Sequence, residues 1–213
     1  MIELVAQSEA MREAVRLAER VAQTDANVLV TGESGAGKDA LAALIHARSQ
    51  RAAGPFVKID CAALSGELLE AELFGFERGA FTGATAAKPG RLEAAHRGTL
   101  VLDEIAHLTT DAQAKLLRVI ERREFERLGG RQTVHVDARV VALTNVDLET
   151  AVKRRAFRED LYYRLHVVRI HIAPLRERRA DIRALAEKFL KAYALKHGRR
   201  AARLAPAAFS LLE

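Results

Sequence analysis

Cysteine is almost missing: Cys61 is the only one in 213 residues. No disulfide can form within the chain, which fits a reducing compartment, and the lone thiol beside a strand reads as a small packed side chain. No stretch approaches the roughly 20 apolar residues that span a bilayer, so no membrane association is expected. The first residues, Met1 to Gln7, lack a basic n-region and an apolar h-region. A secretory signal is therefore not predicted, and a cytoplasmic location is expected. The seven histidines show no metal spacing such as H-E-x-x-H and read as structural or solvated. No helix-turn-helix pair is visible, and aromatics make up only 5% of the chain.

What remains is an ordinary globular composition, 49% apolar and 29% charged, able to bury about 70% of its unfolded surface. The net charge of +6 and pI near 9.8 invite a nucleic-acid reading. Acids and bases alternate, however, as in Arg176-Glu-Arg-Arg179 and Glu121-Arg-Arg-Glu124. Direct DNA binding by this chain is not expected.

The chain is organised around Thr31-Gly-Glu-Ser-Gly-Ala-Gly-Lys-Asp39. An apolar run, Val28 to Val30, precedes it, and Leu41, Leu44 and Ile45 follow at helical spacing. Strand, glycine loop and helix in that order predict a phosphate site over Gly32, Glu33, Ser34, Gly35, Ala36, Gly37 and Lys38. Glycine lets the loop wrap a polyphosphate with its N–H groups inward. Lys38 reaches the outer phosphates, helped by the positive end of the following helix. The residue after the lysine, usually Ser or Thr so that a hydroxyl can ligate Mg²⁺, is Asp39. Its carboxylate could hold the metal directly or through water.

Taken in order, Ser8 should cap a first helix. Strands are expected at Val28–Val30, Phe56–Asp60, Thr99–Glu104 (four β-compatible residues ending in two acids), Val140–Asn145 and Val167–Ile172. Helices are expected at Ser65–Phe74, from Thr110 in a capping-box pattern with Gln113, at Phe157–Leu165, from Ile182 to a stop at Gly198, and again from Leu204-Ala-Pro206. Glu124–Leu128, Gly129-Gly130 and Thr133–Val136 read as a small hairpin or an inserted loop. The alternation predicts an α/β fold with a parallel five-stranded sheet flanked by helices. Asp103 and Glu104 fall at a strand's carboxyl end, where ligands sit in such sheets. There Asp103 can hold Mg²⁺ and Glu104 can polarise an attacking water; the same acids could instead cap a helix or pair with arginine. Nucleoside triphosphate hydrolysis is the predicted reaction. Gly79-Ala-Phe-Thr-Gly-Ala84 bends sharply between two glycines, and spacing alone favours Phe81 as a staple tucked into the core over a knob for a partner.

These stretches together resemble the AAA+ ATPases that activate sigma-54 RNA polymerase, the bacterial enhancer-binding proteins. The matches are Gly32 to Lys38, Leu73-Phe-Gly75, the complete GAFTGA hexapeptide (Gly79, Ala80, Phe81, Thr82, Gly83, Ala84), Gly98 to Glu104, Ala142 to Asn145 and Phe157 to Leu165. The resemblance implies an AAA+ P-loop core over 1–173 and an incomplete helical lid over 174–213. It also implies a Mg²⁺-dependent ATPase working as a hexameric ring, with ATP between subunits. Arg158 and Arg164 match the arginines that reach the neighbour's γ-phosphate, although each could merely pair with acids on its own helix. Thr144 and Asn145 match the sensor of that phosphate. In the family the hexapeptide is a mobile protrusion whose Phe and Thr touch sigma-54, which sets aside the staple reading.

Three departures stand out. The family usually has Glu at the position of Asp39 and often Asn at that of Asp60, where it hydrogen-bonds the catalytic glutamate. Asp60 beside Glu104 would put like charges together, raising one pKa or forcing another geometry. The chain also stops before the family's Gly-x-x-Arg lid motif and helix-turn-helix, and no N-terminal receiver or ligand-sensing domain is seen. A central-domain fragment that assembles poorly is accordingly the competing expectation, and a relative that uses the loop on another target is a third.

Overall fold

The computed structural model of the protein describes residues 4–199, 203, 204, 208, 209 and 212. Helix α1 (Glu9–Ala22) is capped by Ser8, whose hydroxyl accepts the Met11 amide. Strand β1 (Val28–Thr31) leads through the glycine loop into α2 (Lys38–Ala47), then β2 (Phe56–Asp60) and α3 (Gly66–Phe74). Two short strands, β3 (Gly75–Phe76) and β4 (Lys88–Pro89), pair antiparallel and enclose the GAFTGA segment. After α4 (Arg91–Ala94) come β5 (Thr99–Asp103), α5 (Thr110–Arg122), the hairpin β6 (Glu124–Glu126) and β7 (Thr133–His135), and β8 (Arg139–Thr144). The chain continues through α6 (Leu148–Lys153), α7 (Glu159–Leu165), β9 (Val168–His171) and α8 (Arg179–Lys196).

The main sheet has the order β2-β5-β8-β1-β9, and every neighbouring pair in it is parallel. All five strands predicted from apolar runs are present in it. The runs look continuous, yet their side chains alternate between two cores. Leu100 and Leu102 face α3, α5 and α7, while Val101, Val141 and Val30 face α1 and α2. Each fully buried Leu or Val contributes about 1.5–3 kcal/mol. A buried arginine sits at the edge of the second layer. Arg139 is 2% exposed and donates to the carbonyls of Val21, Ala22 and Ala26, closing the C-terminal end of α1.

Two local expectations are corrected. Helix α5 is capped by Thr109 rather than by a box built on Thr110. Gln113 is thereby freed for other work: it is buried, donates to the carbonyls of Leu108 and Ala156, and accepts the Arg158 amide. Helix α7 starts at Glu159, so Phe157 lies in the preceding loop and packs into the core. The helix expected from Leu204-Ala-Pro206 falls partly outside the described residues. Among the described residues no helix is long and apolar enough to cross a membrane.

Candidate active site

The glycine loop joins the carboxyl end of β1 to α2. Gly37 stands at the helix N-cap with φ 102°, a left-handed conformation that glycine adopts without a Cβ penalty. Lys38 opens the helix but folds back: its Nζ donates to the carbonyls of Gly32 (2.9 Å) and Glu33 (3.1 Å), and its side chain is buried. The same ammonium lies 3.7 Å from Glu104 Oε1. The loop's first residue is tied sideways, with the Gly32 amide donating to the Thr144 carbonyl at the end of β8.

Beyond β5 the backbone turns through Glu104 at φ 51°, ψ 50°, an uncommon conformation for a residue with a side chain. That turn aims the Glu104 carboxylate across to β8, where Oε2 accepts the Asn145 amide at 3.2 Å. Thr144 is buried with its hydroxyl accepting the Val146 amide, so it shapes the turn rather than facing the cleft. Asp60 pairs in register with Asp103 across β2 and β5, but its Oδ1 accepts the Ala62 amide within its own turn. The partners of Glu104 are thus Lys38 and Asn145, and Asp60 takes the alternative geometry. Cys61, packed beneath these acids, has its thiol pushed up to about 12 by burial and by the nearby charges of Asp60, Asp103 and Glu104.

The expected metal carboxylates, Asp39 and Asp103, do converge, and on a lysine that sequence reasoning missed. Lys58 Nζ lies 2.5 Å from Asp39 Oδ1 and 2.7 Å from Asp103 Oδ2. Burial pulls the Lys58 pKa down, but hydrogen bonds to Asp103 and Asp39 outweigh it and hold the ammonium above its ordinary value. The two carboxylates thus bring one oxygen each to a single positive charge. Magnesium commonly uses one or two carboxylates together with substrate phosphates, and this donor set fits that use. Among the described residues no group of three or more His, Cys, Asp or Glu is arranged as a separate metal site.

Beside the loop, a cleft of about 210 Å³ is lined by Thr31, Gly32, Glu33, Asn145, Tyr162 and Arg169, among others. On the other side the loop is held by the segment before α8. Arg176 makes two bonds to the Glu33 carboxylate (2.7 and 2.6 Å), and buried Arg178 donates to the Ala36 carbonyl at 2.9 Å. Arg158 and Arg164 do not join this cluster. Arg158 forks onto Asp160 of its own helix, and Arg164 reaches Glu121 on α5. Both are exposed.

The hexapeptide is a closed loop, with the Gly79 amide donating to the Ala84 carbonyl at 2.8 Å. Phe81 is 42% exposed and meets Phe76 edge-on, ring centroids 4.9 Å apart. The staple expectation therefore fails: the ring lies against another aromatic at the loop's base, outside both cores. The β6–β7 turn supports that base. Leu128 exchanges backbone bonds with Gly75 and Glu77, and Arg127 bridges Glu77 and Glu93. Gly129, at φ 70°, passes so close to Ala80 that a Cβ there would sit 2.8 Å from the alanine methyl.

Residues 4–171 match the family described as "Sigma-54 interaction domain". The Nif-specific regulatory protein of Rhizobium leguminosarum bv. trifolii is 52% identical over 210 residues, covering 99% of this chain and 59% of that protein. Regulatory protein AtoC of Escherichia coli is 49% identical over 209 residues, covering 98% of this chain and 45% of that protein. This chain thus spans about half the length of the curated relatives it matches. The structure of NtrX from Brucella abortus in complex with ATP superposes with a TM-score of 0.91 at 42% identity, over 98% of this chain and 45% of that one. The P-loop NTPase domain of an E. coli sigma-54 activator, at 22% identity and a TM-score of 0.56, shares the fold. With the glycine loop, the strand-end acids and the GAFTGA loop all in place on that fold, the chain belongs to the sigma-54 interaction domain family, the AAA+ domain of sigma-54-dependent activators.

Proposed function

We propose that this chain binds and hydrolyses ATP and uses the cycle to drive its GAFTGA loop against sigma-54 in the closed promoter complex. The observation that carries the reading is the meeting of Lys38, Glu104 and Asn145 at the carboxyl ends of β1, β5 and β8. Binding of NtrX to ATP, and to ADP in a companion structure, supports nucleotide at the equivalent cleft.

The Gly32–Gly37 loop cradles the phosphates, and Lys38 turns from its two carbonyls toward the outer ones. Glu104, already aimed by its backbone and the Asn145 amide, holds the attacking water at Oε2 and takes its proton. Asn145 stands beside it to register whether the outer phosphate is present. Magnesium, held through Asp39 and Asp103, would neutralise charge on the outer phosphates. Arg158 and Arg164 are exposed and bound only to single carboxylates, exchangeable contacts worth little in water. They are free to swing to a neighbouring copy in a hexameric ring, where an arginine supplied in trans can raise the rate about 10³–10⁵-fold. The hexapeptide then communicates through β3, β4 and the β6–β7 turn.

Phosphate release measured against protein concentration tests the reading. Specific activity should rise steeply with concentration, and Glu104→Gln should keep nucleotide binding while losing about 10²–10⁴ in rate, the scale of a positioned general base. A Glu104→Gln variant as fast as the parent chain would refute it. Capture of sigma-54 by the parent chain and its loss in Phe81→Ala tests the partner.

A further inference from the structure

The ammonium between Asp39 and Asp103 stands outside both hydrophobic cores. Lys58 lies on β2, the edge strand of the sheet, with its side chain 36% exposed, and its strand neighbours carry the packing. The two lysines of the site contrast. Lys38 is buried and fixed by two backbone carbonyls. Lys58 is held by carboxylates alone, on a flexible stem with solvent beside it.

Both acids also have somewhere else to be: Asp39 is largely exposed at the start of α2, and Asp103 Oδ1 accepts the Glu104 amide. They nonetheless place one oxygen each on a single point, and Lys58 occupies that point. A divalent cation bound there would need the same two oxygens, at roughly 2.0–2.1 Å for magnesium. An ammonium at 2.5 and 2.7 Å cannot share the space.

Resting on the ATPase reading above, we propose that Lys58 is a resident counter-ion of the Asp39–Asp103 pair, occupying the divalent-cation position so that metal alone is refused and metal accompanied by nucleotide phosphates displaces it. In the unloaded chain Lys58 neutralises the repulsion between the two carboxylates and keeps the site formed. On loading it swings toward the open side of β2. The residue thereby sets specificity: the site accepts a metal–nucleotide complex and not a free ion.

Manganese, titrated without nucleotide and followed by its electron paramagnetic resonance signal, tests the proposal in the whole chain. Lys58→Met should bind Mn²⁺ on the order of tenfold tighter than the parent, because a competing unit charge next to the site is gone. Lys58→Gln, which keeps a polar strand residue, should show the same gain. Lys153→Met, an equal charge change on α6, should show none, and adding Asp103→Asn to Lys58→Met should erase it. Equal Mn²⁺ affinity in the parent and both Lys58 variants, with a fluorescent ATP analogue still bound by the parent, overturns the counter-ion role and leaves the ATPase reading standing. Failure of the parent to bind that analogue in the presence of Mn²⁺ overturns the ATPase reading, and this proposal with it.

Discussion

The ring of Phe81 rests edge-on against Phe76, their centroids 4.9 Å apart. An aromatic pair of this kind is worth about 0.5–1.5 kcal/mol beyond the area it buries. That is enough to bias the position of a six-residue loop and small enough to be broken by a partner. Phe76→Ala should therefore release the hexapeptide while leaving the sheet intact. Hydrogen exchange at Gly79–Ala84 should accelerate several-fold, with β5 and β8 unchanged. Global stability should fall by only about 1 kcal/mol, because the pair is half exposed.

A second prediction concerns the start of α8. Asp181 is fully buried and accepts the Gln7 amide (2.6 Å), the Ser8 amide (2.8 Å) and the Ser8 hydroxyl (2.7 Å). Arg178 lies 3.6 Å away, and its Nε is the one buried side-chain nitrogen or oxygen without a partner among the described residues. Asp181→Ala would strand three donors and leave the guanidinium without its counter-charge, costing about 3–5 kcal/mol. Urea denaturation should show it as a lower midpoint, and Asp181→Asn should recover part of the loss.

Arg139 gives the third. Its guanidinium is buried against three backbone carbonyls of α1 and the following turn. Arg139→Met removes the charge and takes the side-chain donor from the Ala22 and Ala26 carbonyls, while Val21 keeps the Thr24 amide and hydroxyl, at about 1–3 kcal/mol for each carbonyl that water cannot reach. The expected outcome is a clear fall in thermal midpoint, with faster amide exchange at the C-terminal turn of α1.

The pH dependence is the fourth. His46 is buried and hydrogen-bonded to the Thr99 hydroxyl at 2.9 Å. Burial, and then the nearby Arg139 charge, hold its pKa below the ordinary value of 6.5. The unfolded chain therefore binds the proton first, so the His46 contribution is present above about pH 6.5 and is lost as pH falls toward the folded value. The carboxylates held low by arginine, Asp25 by Arg51 and Glu93 by Arg127, lose their contribution only at more acid pH. Stability measured from pH 7.5 down to 5.5 should decline, and His46→Gln should flatten that slope.

The sheet was readable because its strands advertise themselves locally, as apolar runs ended by Thr31, Asp103 and Asn145. The strand, glycine loop and helix over Val28–Ala47 were readable for the same reason, since the loop's spacing is contained in nine consecutive residues. What stayed hidden depends on register. Lys58 looks like an unremarkable strand lysine until β2 is laid beside β5, setting Asp60 opposite Asp103 and Lys58 within reach of both Asp103 and Asp39. Gln113 reads as part of a cap because two of its three partners, Ala156 and Arg158, are more than forty residues away. Spacing does not place Phe81, because its contact is half-buried Phe76 at the loop's base, a choice that periodicity does not encode.

The two arginines that grip the glycine loop from the α8 side, Arg176 on Glu33 and Arg178 on the Ala36 carbonyl, make that helix a lever with its short arm on the loop. Any torque on the far end of α8, from whatever leans on it, arrives at the loop as a pull on Glu33 and Ala36. The set of the glycine loop and the tilt of this helix are then one mechanical variable.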